Sequence, residues 1–232
     1  MPRLPRLDLP GIPQHIVQRG NNRLPCFFRD ADYLGFRADL REIAFSLGIA
    51  VHAYVLMTNH VHLLATPPVS GAISQMMQKL GRRYVRRIND TYGRTGTLWE
   101  GRFKSCLVDS ETYVLTCYRY IELNPVRAAM VDSPDRYPWS SYLCNADQAH
   151  DPVITPHASY LALAPTAALR SQAYRELLAF AITNDDLASI RQYLQLQQAL
   201  GTSRFQDAIE QQVARRARPG IPGRPAGPSR ER

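Results

Sequence analysis

The sequence predicts an α+β fold, with helices packed on a central antiparallel sheet and a small helical C-terminal region after it. Hydrophobic spacing alternates between strand-like and helix-like runs up to about residue 124. Two strand-like runs, residues 49–57 and 60–66, are separated by a tight turn and must pair antiparallel. After Tyr142 the composition shifts, and the remaining patterns are short and helical. A length of 232 residues suits one sizeable domain with a smaller appendix.

The elements follow in order. Residues 14–19 read as a short strand, followed by a polar turn around Gly20-Asn21-Asn22. Residues 30–47 form a helix with Leu34, Phe36, Ala38, Leu40, Ile43, Ala44 and Leu47 as its apolar set, ended by Gly48. The two paired strands come next. Pro67-Pro68 breaks their pattern, and residues 71–91 form a second helix. Residues 99–108 are a fourth strand. From Glu111 a third helix carries Val114, Leu115, Tyr118, Ile121 and Leu123, with Asp109 or Ser110 available as its cap. Pro125 discourages its continuation beyond Asn124. The order β-α-β-β-α-β-α is that of a ferredoxin-like sandwich with an added helix. Residues 1–145 then form the main domain and 146–156 a linker. Residues 157–214 form a helical accessory region, and 215–232 a basic tail, rich in Pro, Gly and Arg and disordered when free. Gly201-Thr202-Ser203 separates the last two helical patterns, which suits either a helix-turn-helix-like module or an add-on packed against the main domain.

Two segments carry chemistry. In His60-Val61-His62, strand alternation sends both imidazoles to one face and turns Val61 and Leu63 into the core. Two histidines on a rigid strand are half of a metal site, or else a pair bonded to local backbone. In the third helix, Tyr120 and Asn124 are i and i+4, neighbours on one face. A phenol one turn from an amide, set against two histidines, has a use: the imidazoles and amide hold a divalent cation, and the phenolate attacks the phosphate that the cation polarises. Tyr113 lies on nearly the same face as Tyr120, and Tyr118 points elsewhere.

The strand Met57-Thr58-Asn59-His60-Val61-His62-Leu63-Leu64 and the helix Tyr118-Arg119-Tyr120-Ile121-Glu122-Leu123-Asn124-Pro125-Val126-Arg127 resemble the single-tyrosine HUH transposases, in particular their REP-associated tyrosine transposase branch. Residues 18–23, 96–104 and 137–142 match as well, in order. The resemblance implies single-stranded DNA cleavage and strand transfer at DNA hairpins through a 5′-phosphotyrosine on Tyr120. It also implies a divalent metal, Mg²⁺ or Mn²⁺, at His60, His62 and Asn124. The implied substrate is a hairpin of a repeated extragenic palindrome. Some relatives build each active site from two chains, so a homodimer is a possible partner state. One departure is Asn124, where many relatives carry glutamine; the shorter amide holds the metal either directly or through water.

Charge agrees with a nucleic-acid partner. The formal net charge is +8, and residues 79–104 hold eight basic residues against two acids. Within that segment Arg82, Arg83, Arg86 and Arg87 form a stripe along the second helix, expected to grip a DNA backbone or hairpin stem together with Arg102 and Lys104. Tyr84, between the arginine pairs, reads as a packing residue. Gly223-Arg224-Pro225 resembles the core of a minor-groove hook, although a plain charged tail is the simpler reading. The four cysteines show no metal-ligand or disulfide spacing and read as reduced thiols. No signal peptide or membrane span is expected, which points to the cytoplasm. A metallohydrolase would want further histidine or aspartate ligands, and the next histidine after His62 is His150. A non-cleaving regulator derived from such an enzyme is the other reading, and it has no need of the intact His60, His62, Tyr120 and Asn124 set.

Overall fold

Strand β1 (Gln14–Arg19) runs through the middle of a five-stranded sheet, between β3 (His60–Thr66) and β4 (Lys104–Val108). A computed structural model describes residues 5–220 of the chain. Outside β3 lies β2 (Ala50–Met57), and outside β4 a short β5 (Ala199–Leu200), giving the order β2-β3-β1-β4-β5. The first four strands pair antiparallel, as expected for the ferredoxin-like arrangement, and β5 joins parallel to β4.

Register sorts the side chains. His60 lies opposite Arg19, His62 opposite Val17, Leu64 opposite His15, and Lys104 opposite Val17. Directly opposed residues share a face, so His15, Arg19, His60, His62 and Lys104 project together. The other face carries Ile16, Val61 and Leu63. It is covered by α1 (Asp30–Ser46) and α2 (Ala72–Tyr92), whose Phe36, Leu40, Met76, Leu80, Tyr84 and Ile88 fill an apolar core. Tyr84 is fully buried and donates to the Cys26 carbonyl at 2.7 Å, in keeping with a packing role. Leu34 and Ala38, expected in that core, are exposed because the buried stripe of α1 is Tyr33, Phe36, Leu40 and Ile43.

The histidine face is covered by α3 (Val114–Glu122), which buries Val114, Cys117 and Ile121 against the sheet and kinks at Leu123 into α4 (Asn124–Arg127). The third helix starts later than expected because Asp109 is engaged elsewhere. Its Oδ1 accepts the Glu111 N–H at 3.1 Å, and its Oδ2 accepts from the N–H and hydroxyl of Thr202 at 3.3 and 3.2 Å. The fourth strand also starts late, since Gly101 takes φ 62° and Trp99 reaches Gly20 through a single bridge.

The C-terminal region is built into the body. Tyr160 of α6 (Ala158–Leu161), Tyr174 of α7 (Ala167–Ala179), and Ile190 and Leu194 of α8 (Asn184–Leu196) share one core with Val114, Cys117 and Tyr118. Between α8 and α9 (Ser203–Val213) the chain enters the sheet as β5, so the two helices are a packed add-on rather than a free helix-turn-helix. Gln197, at φ 56°, ends α8 early and allows this. Fully buried Glu122 accepts from Ser141 Oγ at 2.5 Å, Asn145 Nδ2 at 2.7 Å and Tyr174 OH at 2.7 Å, tying α3 to α5 (Tyr142–Asp147) and α7. Burial raises its carboxyl from 4.5 to about 7.

Residues 146–156, expected as a linker, lie along the open edge of β2: Thr155 N–H donates to the Val51 carbonyl at 2.7 Å, and Tyr54 OH to Asp151 Oδ2 at 2.6 Å. The segment around Trp139 covers the same edge, with Leu56 N–H donating to the Trp139 carbonyl at 2.8 Å. The start of the basic tail is docked rather than disordered. Ala217 is buried and accepts the Ala199 N–H at 2.8 Å, while Arg218 pairs with Asp207 and Glu210. The rest of the tail, including Gly223-Arg224-Pro225, lies outside the described residues. All four cysteines are free thiols, and among the described residues no helix is long and apolar enough to cross a membrane.

Candidate active site

The histidine pair is held from behind. His60 Nδ1 lies 2.6 Å from Asn59 Oδ1, and His62 Nδ1 lies 2.8 Å from His15 Nε2. Both contacts occupy the Nδ1 atoms and leave the two Nε2 atoms for a ligand, an outer-shell arrangement typical of metal-binding histidines. The rings stand 5.0 Å apart, centroid to centroid. Burial, with Arg19 nearby, lowers the His60 imidazole to about 4. Burial followed by His15, His60 and Arg127 holds His62 well below 6.5. His15, fully buried and close to Arg127, falls to about 3. All three are neutral at pH 7, the form that a metal ligand must have. Among the described residues no group of three or more His, Cys, Asp or Glu side chains is arranged to hold a metal ion by itself, and His15 meets His62 only from behind. The donor set is therefore two imidazoles with an amide beside them, which suits a divalent cation completed by phosphate oxygens and water.

Asn59 also anchors the neighbouring turn, since its Nδ2 donates to the Arg23 carbonyl at 3.0 Å. Together with Gly20 N–H donating to the Asn59 carbonyl at 2.8 Å, this pins the Gly20–Arg23 turn beside His60. The turn requires glycine at position 20, where a Cβ would meet the Leu24 carbonyl oxygen at 2.3 Å.

From the other side α3 presents Tyr120. Its ring meets His15 and His62 edge-on, with centroid distances of 5.6 and 5.9 Å. Arg127 lies over the ring with Cζ 4.3 Å from the centroid, and its Nη2 donates to the Tyr120 carbonyl at 2.5 Å. The Arg127 Nη1 is buried without a partner among the described residues. Asn124 lines the same cleft. The other two tyrosines of this segment are placed elsewhere. Tyr118 stacks on Tyr160, and its hydroxyl accepts the His157 N–H at 3.1 Å. Tyr113 sits at the N-terminus of α3 and packs with the residues of the C-terminal helices.

The cleft has a volume of about 790 Å³ and is lined by His60, His62, Tyr120 and Asn124, by the basic groups of Arg19, Arg23, Arg102, Lys104 and Arg191, and by Glu100. Two of the basic residues expected from sequence, Arg102 and Lys104, are therefore in it. The stripe on α2 is not. Arg82, Arg83, Arg86 and Arg87 lie on the helix that covers the opposite face of the sheet. Two of the four are bound to α1: Arg83 reaches Glu42 at 2.7 Å and Asp39 at 3.2 Å, and Arg87 reaches Asp39 at 2.7 Å. Gly35 makes room for this, since a Cβ there would lie 2.3 Å from Arg87 Nη1. Arg86 pairs loosely with Asp90 at 3.7 Å. Sequence reasoning missed His15, Arg19, Arg23, Arg127 and Arg191. For His15 and Arg19 a signal existed: alternation along β1 puts 15, 17 and 19 on one face, and pairing with β3 makes it the histidine face.

Comparison with known proteins agrees with this architecture. Residues 10–124 match the family described as "Transposase IS200 like", and the chain belongs to that family of transposases. A solved structure entitled "Structure of the REP associates tyrosine transposase bound to a REP hairpin" superposes with a TM-score of 0.55 at 16% identity, covering 68% of this chain and 96% of that one. A transposase candidate from Deinococcus radiodurans R1 aligns at 22% identity with a TM-score of 0.36, covering 53% of this chain and 93% of that one. No curated protein matches the chain.

Proposed function

We propose that this transposase nicks and rejoins single-stranded DNA at hairpins, with Tyr120 as the nucleophile. The observation that carries the reading is the meeting of Tyr120 with the His60–His62 pair and Asn124 in one basic cleft. Tyr120 Oη attacks the scissile phosphorus; a phosphorus–oxygen bond to Tyr120 forms and the bond to the 3′ oxygen breaks. The phenolic proton leaves to solvent, and the departing 3′ oxygen takes up a proton as a hydroxyl. Strand transfer is the reverse step with a different 3′-hydroxyl, which restores the phenol. His60, His62 and Asn124 would hold a divalent cation, Mg²⁺ or Mn²⁺, which when bound polarises the phosphate. Asn59 and His15 fix the two imidazole orientations. Arg127 clamps the Tyr120 ring and places a positive charge beside the developing phenolate or phosphate charge. Arg102 and Lys104 contact the DNA backbone in the cleft. The surface of α2, through Arg82 and Arg86, would contact hairpin DNA away from the chemistry. The REP hairpin of the superposed structure suggests the substrate class: a palindromic hairpin with a single-stranded flank.

Incubation of the protein with labelled hairpin DNA and Mn²⁺ should yield a covalent protein–DNA adduct that excess EDTA prevents. A wild-type protein that binds the hairpin and forms no adduct under any divalent metal would instead make it a non-cleaving binder.

A further inference from the structure

Part of the cleft lining belongs to α8, which lies beyond the residues matched by the transposase family. Ile190 and Leu194, one turn apart, are buried in the same core as α3, and they fix the neighbouring Arg191 and Gln195 at the cleft. Three further ties hold α8 in place. Strand β5 pairs with β4, Asp109 grips Thr202, and Arg119 of α3 donates to the Phe180 carbonyl just before α8. Arg191 thus projects from a helix that is packed into the body.

The basic groups of the cleft differ from those elsewhere on the molecule. Among the described residues Arg19, Arg23, Arg102, Lys104 and Arg191 form no ion pair, whereas Arg83 and Arg87 on α2 are paired with carboxylates. Lys104 Nζ donates instead to the neutral Gln195 Oε1, at 2.5 Å. Arg127, stacked over the Tyr120 ring, is close enough to Arg191 to feel its charge, and its Nη1 is buried without a partner among the described residues. Converging cations repel one another unless an anion joins them. An elongated polyanion threading the cleft would meet Arg102, Lys104 and Arg191, the last two joined through Gln195 of α8.

We infer that α8 forms a phosphate-binding subsite, in which Arg191, with Lys104 oriented by Gln195, holds the backbone of the single-stranded DNA flanking the scissile phosphate. The inference rests on the DNA-cleaving reading above. Such contacts position the strand and carry no sequence information of their own. The helical C-terminal region then acts as half of a clamp on the unpaired strand, not as a separate binding module.

The test uses the full chain and two labelled probes: a blunt hairpin, and the same hairpin with an unpaired oligothymidine flank. Affinities are measured over a salt titration in EDTA, so that no cleavage intervenes. Arg191 is exposed, so Arg191→Gln should fold as wild type, which a melting curve checks. On the flanked probe this variant should lose one phosphate contact, lowering the salt slope by about 0.7 and the affinity about fivefold at 0.1 M salt. On the blunt hairpin it should match wild type, and Arg191→Lys should restore most of the slope. An unchanged slope and affinity on the flanked probe, or an equal loss on both probes, would overturn the subsite. A wild-type protein that binds neither probe would defeat the DNA-cleaving reading, and the subsite with it.

Discussion

The two faces of the sheet use opposite strategies with the same strands. Under α1 and α2 the face is apolar, and two of the arginines on the outside of α2 are neutralised by Asp39 and Glu42. Under α3 and the C-terminal helices the face carries His15, His62 and Arg19, with Tyr120 above them, and among the described residues the cations around them have no carboxylate partners. Positive charge therefore has two meanings in this chain. On α2 much of it holds helices together, and in the cleft it is free for a ligand. The difference is set by which residues lie opposite, not by how many arginines a segment contains.

The largest expected effect falls on the α3 face. Tyr120→Phe removes one oxygen from the cleft and should lower cleavage at least about a thousandfold, as expected for loss of a nucleophile. Hairpin binding should stay within a few-fold of wild type, measured by gel shift. Cleavage at the wild-type rate would break the distinction between the faces at once.

The second effect is on stability and sharpens how α3 is held. Glu122 has its folded carboxyl raised from 4.5 to about 7, so its contribution is fully present below 4.5 and is lost as pH rises through 7. Over that window wild type should lose up to about 3 kcal/mol relative to Glu122→Gln, which mimics the protonated form. Urea unfolding of both proteins at several pH values between 4.5 and 8 measures it. Parallel stability curves would show that Glu122 carries no such shift.

The third concerns His15, which works only through His62. For His62 Nε2 to accept a cation, Nδ1 must carry the proton and donate it to His15 Nε2. His15→Phe keeps the ring and removes the acceptor, and should weaken Mn²⁺ binding by about 10–100-fold. Titration calorimetry in the absence of DNA reads this directly. Unchanged affinity would reduce His15 to a packing residue.

The smallest effect belongs to the opposite face. Replacing Arg83 and Arg87 with alanine leaves Asp39 buried without its partners. Because both arginines are more than a third exposed, the cost should be only about 1–2 kcal/mol. Cleavage per folded molecule should not change. A loss of cleavage without a loss of stability would mean that these arginines reach the DNA despite their acidic partners.

Much of this organisation was legible in the sequence. The order of elements, the antiparallel pairing of β2 with β3, and the approach of Tyr120 and Asn124 to the histidine pair follow from periodicity and motif together. The α2 stripe was legible as a stripe, but its partners Asp39 and Glu42 sit on another helix, and no local pattern reveals that pairing. The two-residue strand β5 is too short to show alternation, so the docking of α8 against the cleft, and with it Arg191, could not be read from spacing. Arg127 was visible within the family-like motif, but its place over the Tyr120 ring depends on the kink at Leu123.

The most direct test of the central claim is to map the covalent adduct. Trypsin cuts after Arg119 and Arg127, so residues 120–127 emerge as a peptide whose single tyrosine is Tyr120. After reaction with a hairpin oligonucleotide and nuclease trimming, mass spectrometry should find the residual nucleotide on that peptide. A nucleotide on the peptide containing Tyr113 and Tyr118, or on any other tyrosine, would contradict the assignment.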